Sequence, residues 1–173
     1  MTTVNGLPAH ILLVHATVVL LPLAALLLVL TAASPAARRR LAGPNAILSI
    51  VVVVLVPITT SAGEWLESRV PDSAQLHDHT ELGDTAIFYA VPIALLAVVI
   101  WWRGREATPD VPSGRRTYLA PLSTTVSTVI TVLAVAAGAA GVYGMYRIGD
   151  SGAKAAWTGN FSSTENPSGP GHD

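Results

Sequence analysis

The stretch ILLVHATVVLLPLAALLLVLTAA, residues 11–33, decides the fold, because it is long, apolar and carries one ionisable residue, His15. A hydrocarbon core of about 30 Å is crossed by roughly 20 residues of α-helix. Three further stretches have the same character, at residues 46–62, 85–102 and about 119–146. All four are predicted to be helices, since a membrane-spanning segment must satisfy its own backbone hydrogen bonds.

The composition of the whole chain agrees with a membrane environment. Hydrophobic residues make up 51% of the 173 residues and charged residues only 12%, about half the charge of an ordinary soluble domain. The mean hydropathy is +0.52. We therefore expect the lipid bilayer to be the main partner of the chain, and no nucleic acid.

Several classes of site are excluded or disfavoured by the residues that are missing. Because there is no cysteine, disulfides, thiolate zinc sites and iron–sulfur clusters are excluded. The chain also has no phosphate-binding glycine loop, no nucleophile elbow and no HExxH motif. Any metal or cofactor must therefore be held by histidine, carboxylate or methionine.

These observations predict an all-α integral membrane protein, a four-transmembrane-helix bundle formed by residues 1–157. The helices are expected at about 9–33, 44–67, 74–102 and 118–147. The third begins before its apolar part because Asp72-Ser-Ala-Gln75 resembles a capping box. Residues 158–173 are rich in Ser, Gly, Pro and Asn and are predicted to form a disordered extracytoplasmic tail.

Charge in the loops predicts the orientation of the bundle. Seven of the ten basic residues lie in the two loops after the first and third helices, and the loop after the second helix has six acidic residues against one arginine. The positive-inside rule places the basic loops in the cytoplasm. We therefore expect a multi-pass protein of the bacterial cell membrane with both termini extracytoplasmic. The basic loop residues are Arg38, Arg39, Arg40, Arg103, Arg105, Arg115 and Arg116.

Four of the five histidines should lie near the outer surface of the membrane. His79 shares a helical face with small residues, so it should point into the bundle, while His77 should point to water. His15 begins about 6 Å inside the first apolar run, and an ionisable residue at that depth usually faces the bundle interior. His10 lies at the outer start of the same helix, and His172 lies in the tail.

These histidines form a candidate ligand set for haem b or a transition metal. The set is His15 or His10 with His79, helped by Glu64 at the outer end of the second helix. Neutral imidazole suits iron, copper and zinc. One alternative is a hydrogen-bonded histidine and carboxylate cap that closes the bundle, and another is a path for protons or a substrate. The predicted depths of His15 and His79 differ, so a single iron between them would require one helix to shift.

The fourth helix carries two rows of small residues at the spacing that lets helix backbones approach closely. Because the neighbouring helices belong to the same chain, these rows are interpreted as internal packing surfaces rather than a dimer interface. The rows are Ala134, Gly138 and Gly141, and Ala137, Gly141 and Gly144.

Four segments resemble the DUF2231 bacterial membrane proteins in their actinobacterial form. They are GLPAHILLVHATVVLLPLAAL at residues 6–26, SAGEWLE at 61–67, HTELGD at 79–84 and GVYGMYRIGDSGAKAAW at 141–157. His10 and His15 match the opening motif of the family, although Ile11 replaces its first proline and Ala16-Thr17 replaces its Phe-Pro.

The resemblance covers about residues 5–157 and implies four transmembrane helices without specifying an activity. Some relatives are joined to redox domains, so the resemblance favours a redox-linked subunit with a membrane redox partner or a homo-oligomeric assembly. The other hypothesis is a non-catalytic scaffold or accessory subunit. The sequence does not decide whether the chain is an enzyme.

Overall fold

The computed structural model describes residues 3–4, 6–106 and 123–159. Two short strands, β1 (Thr3–Val4) and β2 (Leu7–Pro8), form an antiparallel hairpin before the first helix. Gly6 lies in the turn between them with φ +80°, a conformation that costs glycine little. This hairpin is a small addition to the predicted all-α architecture, which the structure confirms.

Five helices follow in the described part of the chain, and together they make four spans that are long and apolar enough to cross a membrane. They are α1 (Ala9–Ala33), α2 (Pro35–Glu67), α3 (Ala74–Asp84), α4 (Ala86–Glu106) and α5 (Thr124–Trp157). The third span, Ala74–Glu106, consists of α3 and α4. Prolines lie inside α1, α2 and α4 without ending them, as membrane bundles tolerate.

The first two helices are joined by a single residue. We expected the second helix to begin at about 44, but α2 begins at Pro35. Ser34 caps it by accepting a hydrogen bond from the Ala37 N–H at 3.3 Å, and proline at the first helical position is already fixed at a helical φ. The arginines at 38–40 are therefore helical rather than part of a loop.

The third span begins at Ala74 as predicted, although its cap is Ser73 rather than the expected Asp72. The Ser73 hydroxyl accepts from the Leu76 N–H at 3.2 Å. The span divides at Thr85, whose hydroxyl donates to the Leu82 carbonyl at 2.6 Å. α4 then continues to Glu106, past the expected end at 102.

The last helix is longer at its C-terminal end than the expected 147. α5 continues to Trp157, and an ion pair between Lys154 Nζ and Asp150 Oδ2 at 2.7 Å spans one turn of this extension. Such a pair, one turn apart, stabilises an exposed helix. The expected helix start at 118, and residues 160–173 of the expected disordered tail, lie outside the described residues.

The helices pack in the cyclic order α1, α2, α4, α5, with α3 against α5. Small residues form much of the core, as the rows in the fourth helix predicted. A Cβ atom added at Gly141 would be 2.8 Å from Ile93 Cδ1, and one at Gly144 would be 2.3 Å from Tyr89 Cε2. α4 thus lies directly against the backbone of α5, and these glycines serve packing inside the chain.

Large apolar side chains face outward along every span. Val19, Ile47, Leu95 and Val132 each expose more than 60% of their surface. A soluble monomer rarely leaves such a continuous apolar surface uncovered. The outward face of the bundle is therefore suited to lipid.

Candidate functional site

Two histidines from different helices meet at one end of the bundle. His10 lies in the first turn of α1 and His79 in the middle of α3. Their ring centroids are 6.5 Å apart and the rings are nearly perpendicular, at 72°. Both side chains are half-buried. His79 points inward as predicted, and His10 is the histidine that the structure brings to it.

His10 is held by α2. Its Nδ1 lies 3.0 Å from the Thr59 carbonyl oxygen, and because a carbonyl can only accept, Nδ1 carries the hydrogen. In the neutral ring, Nε2 then has the free lone pair. The ring lies on Gly63, where an added Cβ would be 3.0 Å from His10 Cε1. Glycine at this position lets the imidazole contact the helix backbone directly.

His79 is held in the same way by α5. Its Nδ1 lies 3.0 Å from Ser151 Oγ, and the Ser151 hydroxyl donates its hydrogen to the Ile148 carbonyl at 2.9 Å. With the serine hydrogen on that carbonyl, the serine oxygen accepts from His79 Nδ1, which again leaves Nε2 unprotonated in the neutral ring. Gly152 lies under this ring, with an added Cβ only 2.9 Å from His79 Cε1.

The interface below His10 contains a buried pair of hydroxyls. Thr17 and Thr59 are both buried, and their Oγ1 atoms are 3.1 Å apart between α1 and α2. Polar contacts of this kind hold helices together within a bilayer. Thr59 thus fixes α1 through its hydroxyl and orients His10 through its carbonyl.

Two of the candidate residues do not join this site. The expectation that His15 faces the bundle interior was wrong, since its side chain is exposed and its Nδ1 bonds the Ile11 carbonyl of its own helix. Glu64 is exposed as well. Within the described residues no group of three or more histidines and acidic residues could hold a metal ion. Glu64 is therefore not a third ligand beside His10 and His79.

The two remaining histidines are His77 and His172, and the structure describes only His77. His77 is exposed and its Nε2 is 3.2 Å from Glu81 Oε1, on the side of α3 away from His79. His172 lies outside the described residues. The sequence did not predict the residues that contact and orient the two imidazoles, which include Gly63, Thr59 and Ser151. Glycine and hydroxyl residues are common in membrane helices and give no distinct pattern.

The sequence is similar to a known protein family over most of its length. The model described as "Predicted membrane protein (DUF2231)" matches residues 6–165. The chain belongs to the DUF2231 family. The match extends over all four spans, so the DUF2231 assignment and the transmembrane architecture support each other. Searches of curated proteins and of solved structures gave no match.

Proposed function

We propose that this DUF2231 protein is a redox-linked membrane subunit that holds haem b or a single transition-metal ion through His10 and His79. In this proposal it lies in the bacterial cytoplasmic membrane with the histidine pair on the extracytoplasmic side. Electron transfer would involve a membrane redox partner or a second copy of the chain. Here His10 takes the place of His15 in the ligand pair.

The observation that carries the proposal is the shared hydrogen-bonding state of the two rings. Each Nδ1–H is donated to a fixed acceptor, the Thr59 carbonyl or the Ser151 oxygen. Neither Nε2 has a hydrogen-bond partner within the described part of the chain. Metal-binding histidines typically show this arrangement, because the bond from one ring nitrogen fixes the tautomer and direction of the other.

The donor set also restricts the kind of group that fits. A structural zinc site needs four protein ligands and a catalytic one usually three, but within the described residues two imidazoles meet here and no third ligand joins them. His10 and His79 would hold a haem iron, or a metal ion that takes its other ligands from elsewhere. The pair of neutral nitrogen donors therefore favours these groups over a zinc site made by the protein alone.

With His10 rather than His15 as the ligand beside His79, the two ligands no longer differ in depth as the sequence predicted. His10 precedes the apolar run of α1, and His79 precedes that of α4. Both rings therefore lie at the ends of their spans, where one group can reach them from the same side of the bundle.

A second function is favoured by the same contacts. The His10–Thr59 bond links α1 to α2, and the His79–Ser151 bond links α3 to α5. Together with the contact between the rings, these bonds join all four spans at one end. A scaffold or accessory subunit would use them as a hydrogen-bonded cap without any bound group.

Spectroscopy of the full-length protein purified in detergent distinguishes the two functions. The haem form should show a Soret band and split bands on reduction, and the metal form should contain about one equivalent of iron or copper by elemental analysis. His10→Ala and His79→Ala should each abolish that signal. His15→Ala and His77→Ala are matched controls that should retain it.

A colourless, metal-free protein after expression with haem precursor and after reconstitution with haem, iron or copper would contradict the redox proposal. The scaffold function would then predict that His10→Ala and His79→Ala lower the melting temperature more than the two control substitutions. A signal lost only in the His15 or His77 variant would show that the wrong pair had been chosen.

A further inference from the structure

A buried arginine lies at the opposite end of the bundle from the histidine pair. Arg103, in the last turn of α4, exposes only 5% of its surface. Its Nη2 donates to Ser127 Oγ of α5 at 3.4 Å, and its Nε has no hydrogen-bond partner among the described residues. Burying a guanidinium without a counter-charge is unfavourable, and each unmade hydrogen bond adds to that cost.

A second arginine contributes to the same cleft. Arg38 of α2 donates from Nε to the Thr31 carbonyl at 2.9 Å and from Nη2 to the Ala32 carbonyl at 2.6 Å. These bonds cap the C-terminus of α1 and hold the guanidinium in place. Arg38 and Arg103 line one cleft, together with the side chains of Ser127 and Thr131.

Within the described residues, neither arginine forms an ion pair with a carboxylate. The ion pairs in the described residues are His77 with Glu81 and Lys154 with Asp150, and both lie at the end of the bundle that holds the histidine pair. Glu106 accepts a hydrogen bond from Trp102 Nε1 at 2.7 Å. Around this end the sequence supplies seven arginines and only two acidic residues, Glu106 and Asp110, so positive charge exceeds negative charge at this end of the bundle.

We propose that the Arg38–Arg103 cleft binds a phosphate group, either the headgroup phosphodiester of an anionic lipid or inorganic phosphate. Guanidinium groups match phosphate oxygens in geometry and charge. The hydroxyl of Ser127, which accepts from Arg103, is a further donor at the same place. Basic clefts between transmembrane helices are suited to anionic headgroups, and Trp101 and Trp102 are residues typical of headgroup depth.

The test compares lipid and phosphate binding by the full-length protein in detergent. Native mass spectrometry with phosphatidylglycerol against phosphatidylcholine measures the lipid, and melting temperature with inorganic phosphate measures the free ion. Arg103→Gln should weaken binding by at least about tenfold, as expected for the loss of a charged hydrogen-bonding group. Arg40→Gln is the matched control, because it removes the same charge from an exposed position and should bind as the wild type does.

If Arg103→Gln does not fold, two further variants test the same proposal. Arg103→Lys keeps the charge but loses the planar donor geometry, and Ser127→Ala removes one hydroxyl, so both should bind several-fold more weakly. Selective phosphatidylglycerol binding identifies the lipid as the source, and stabilisation by inorganic phosphate alone identifies the free ion.

The proposal is overturned if neither phosphatidylglycerol nor inorganic phosphate binds. It is also overturned if Arg40→Gln weakens binding as much as Arg103→Gln, since that would indicate diffuse surface attraction.

Discussion

Gly152 of α5 lies directly beneath the imidazole of His79 on α3, so close that a methyl group in place of its hydrogen would be 2.9 Å from the ring carbon Cε1. Ser151, which accepts the Nδ1–H bond of the same ring, is the preceding residue. One dipeptide of α5 therefore supplies both the surface on which His79 rests and the bond that orients it.

We predict that Gly152→Ala displaces His79 and breaks its bond to Ser151. The variant should be less stable than Gly149→Ala by about 1–3 kcal/mol, the usual cost of overpacking. Gly149 is the matched control, because an added Cβ there meets nothing within 4 Å and the gain in helix propensity is the same. Melting temperature in detergent measures the difference, and the imidazole ¹⁵N shifts of His79 report the lost bond. Unchanged ¹⁵N shifts would contradict the displacement.

Gly144→Ala should be more damaging than Gly152→Ala. Its new methyl group would lie 2.3 Å from Tyr89 Cε2 and 2.6 Å from Cζ, inside the packed contact between α4 and α5. We expect destabilisation of about 3 kcal/mol, at the upper end for overpacking. Combining it with Tyr89→Leu should restore part of the loss, because the two sites are in contact and their effects are not additive. Full additivity in thermal unfolding would mean that the clash is relieved elsewhere.

The orientation of the bundle can be tested with single cysteines, since the chain has none of its own. We predict that Gln75→Cys, at an exposed position near the start of α3, is labelled by an impermeant thiol reagent in intact cells. Ala36→Cys, also exposed and at the arginine-rich start of α2, should be labelled only after the membrane is opened. The reverse pattern of labelling would place the histidine pair in the cytoplasm.

The spans were predictable from the sequence because apolar length is a strong signal for a membrane helix. The ends of the helices were less predictable from the sequence. The sequence pattern placed the start of the second helix at about 44, yet Ser34 and Pro35 form a cap and first residue that start α2 nine residues earlier. Polar residues before an apolar run look like a loop when only hydropathy is considered.

The candidate site was predictable only in part. The direction of His79 followed from the small residues on its helical face, but His15 was assigned inward from its depth alone. Depth does not fix direction, and an exposed histidine can satisfy one ring nitrogen on the Ile11 carbonyl of its own helix. The inward direction of Arg103 was missed for a similar reason, since charge near a helix end is normally interpreted as solvated.

The single-residue connection at Ser34 sets the relative heights of His10 on α1 and Thr59 on α2. His10 precedes Ser34 by 24 residues, and Thr59 follows it by 25. At about 1.5 Å per residue both arms of this helical hairpin are close to 37 Å long, so the imidazole and the carbonyl that orients it arrive at the same height. One residue inserted in either arm would offset that level by about 1.5 Å and rotate the remote end by about 100°. The relative heights of His10 and Thr59 are thus set at the opposite end of these two helices.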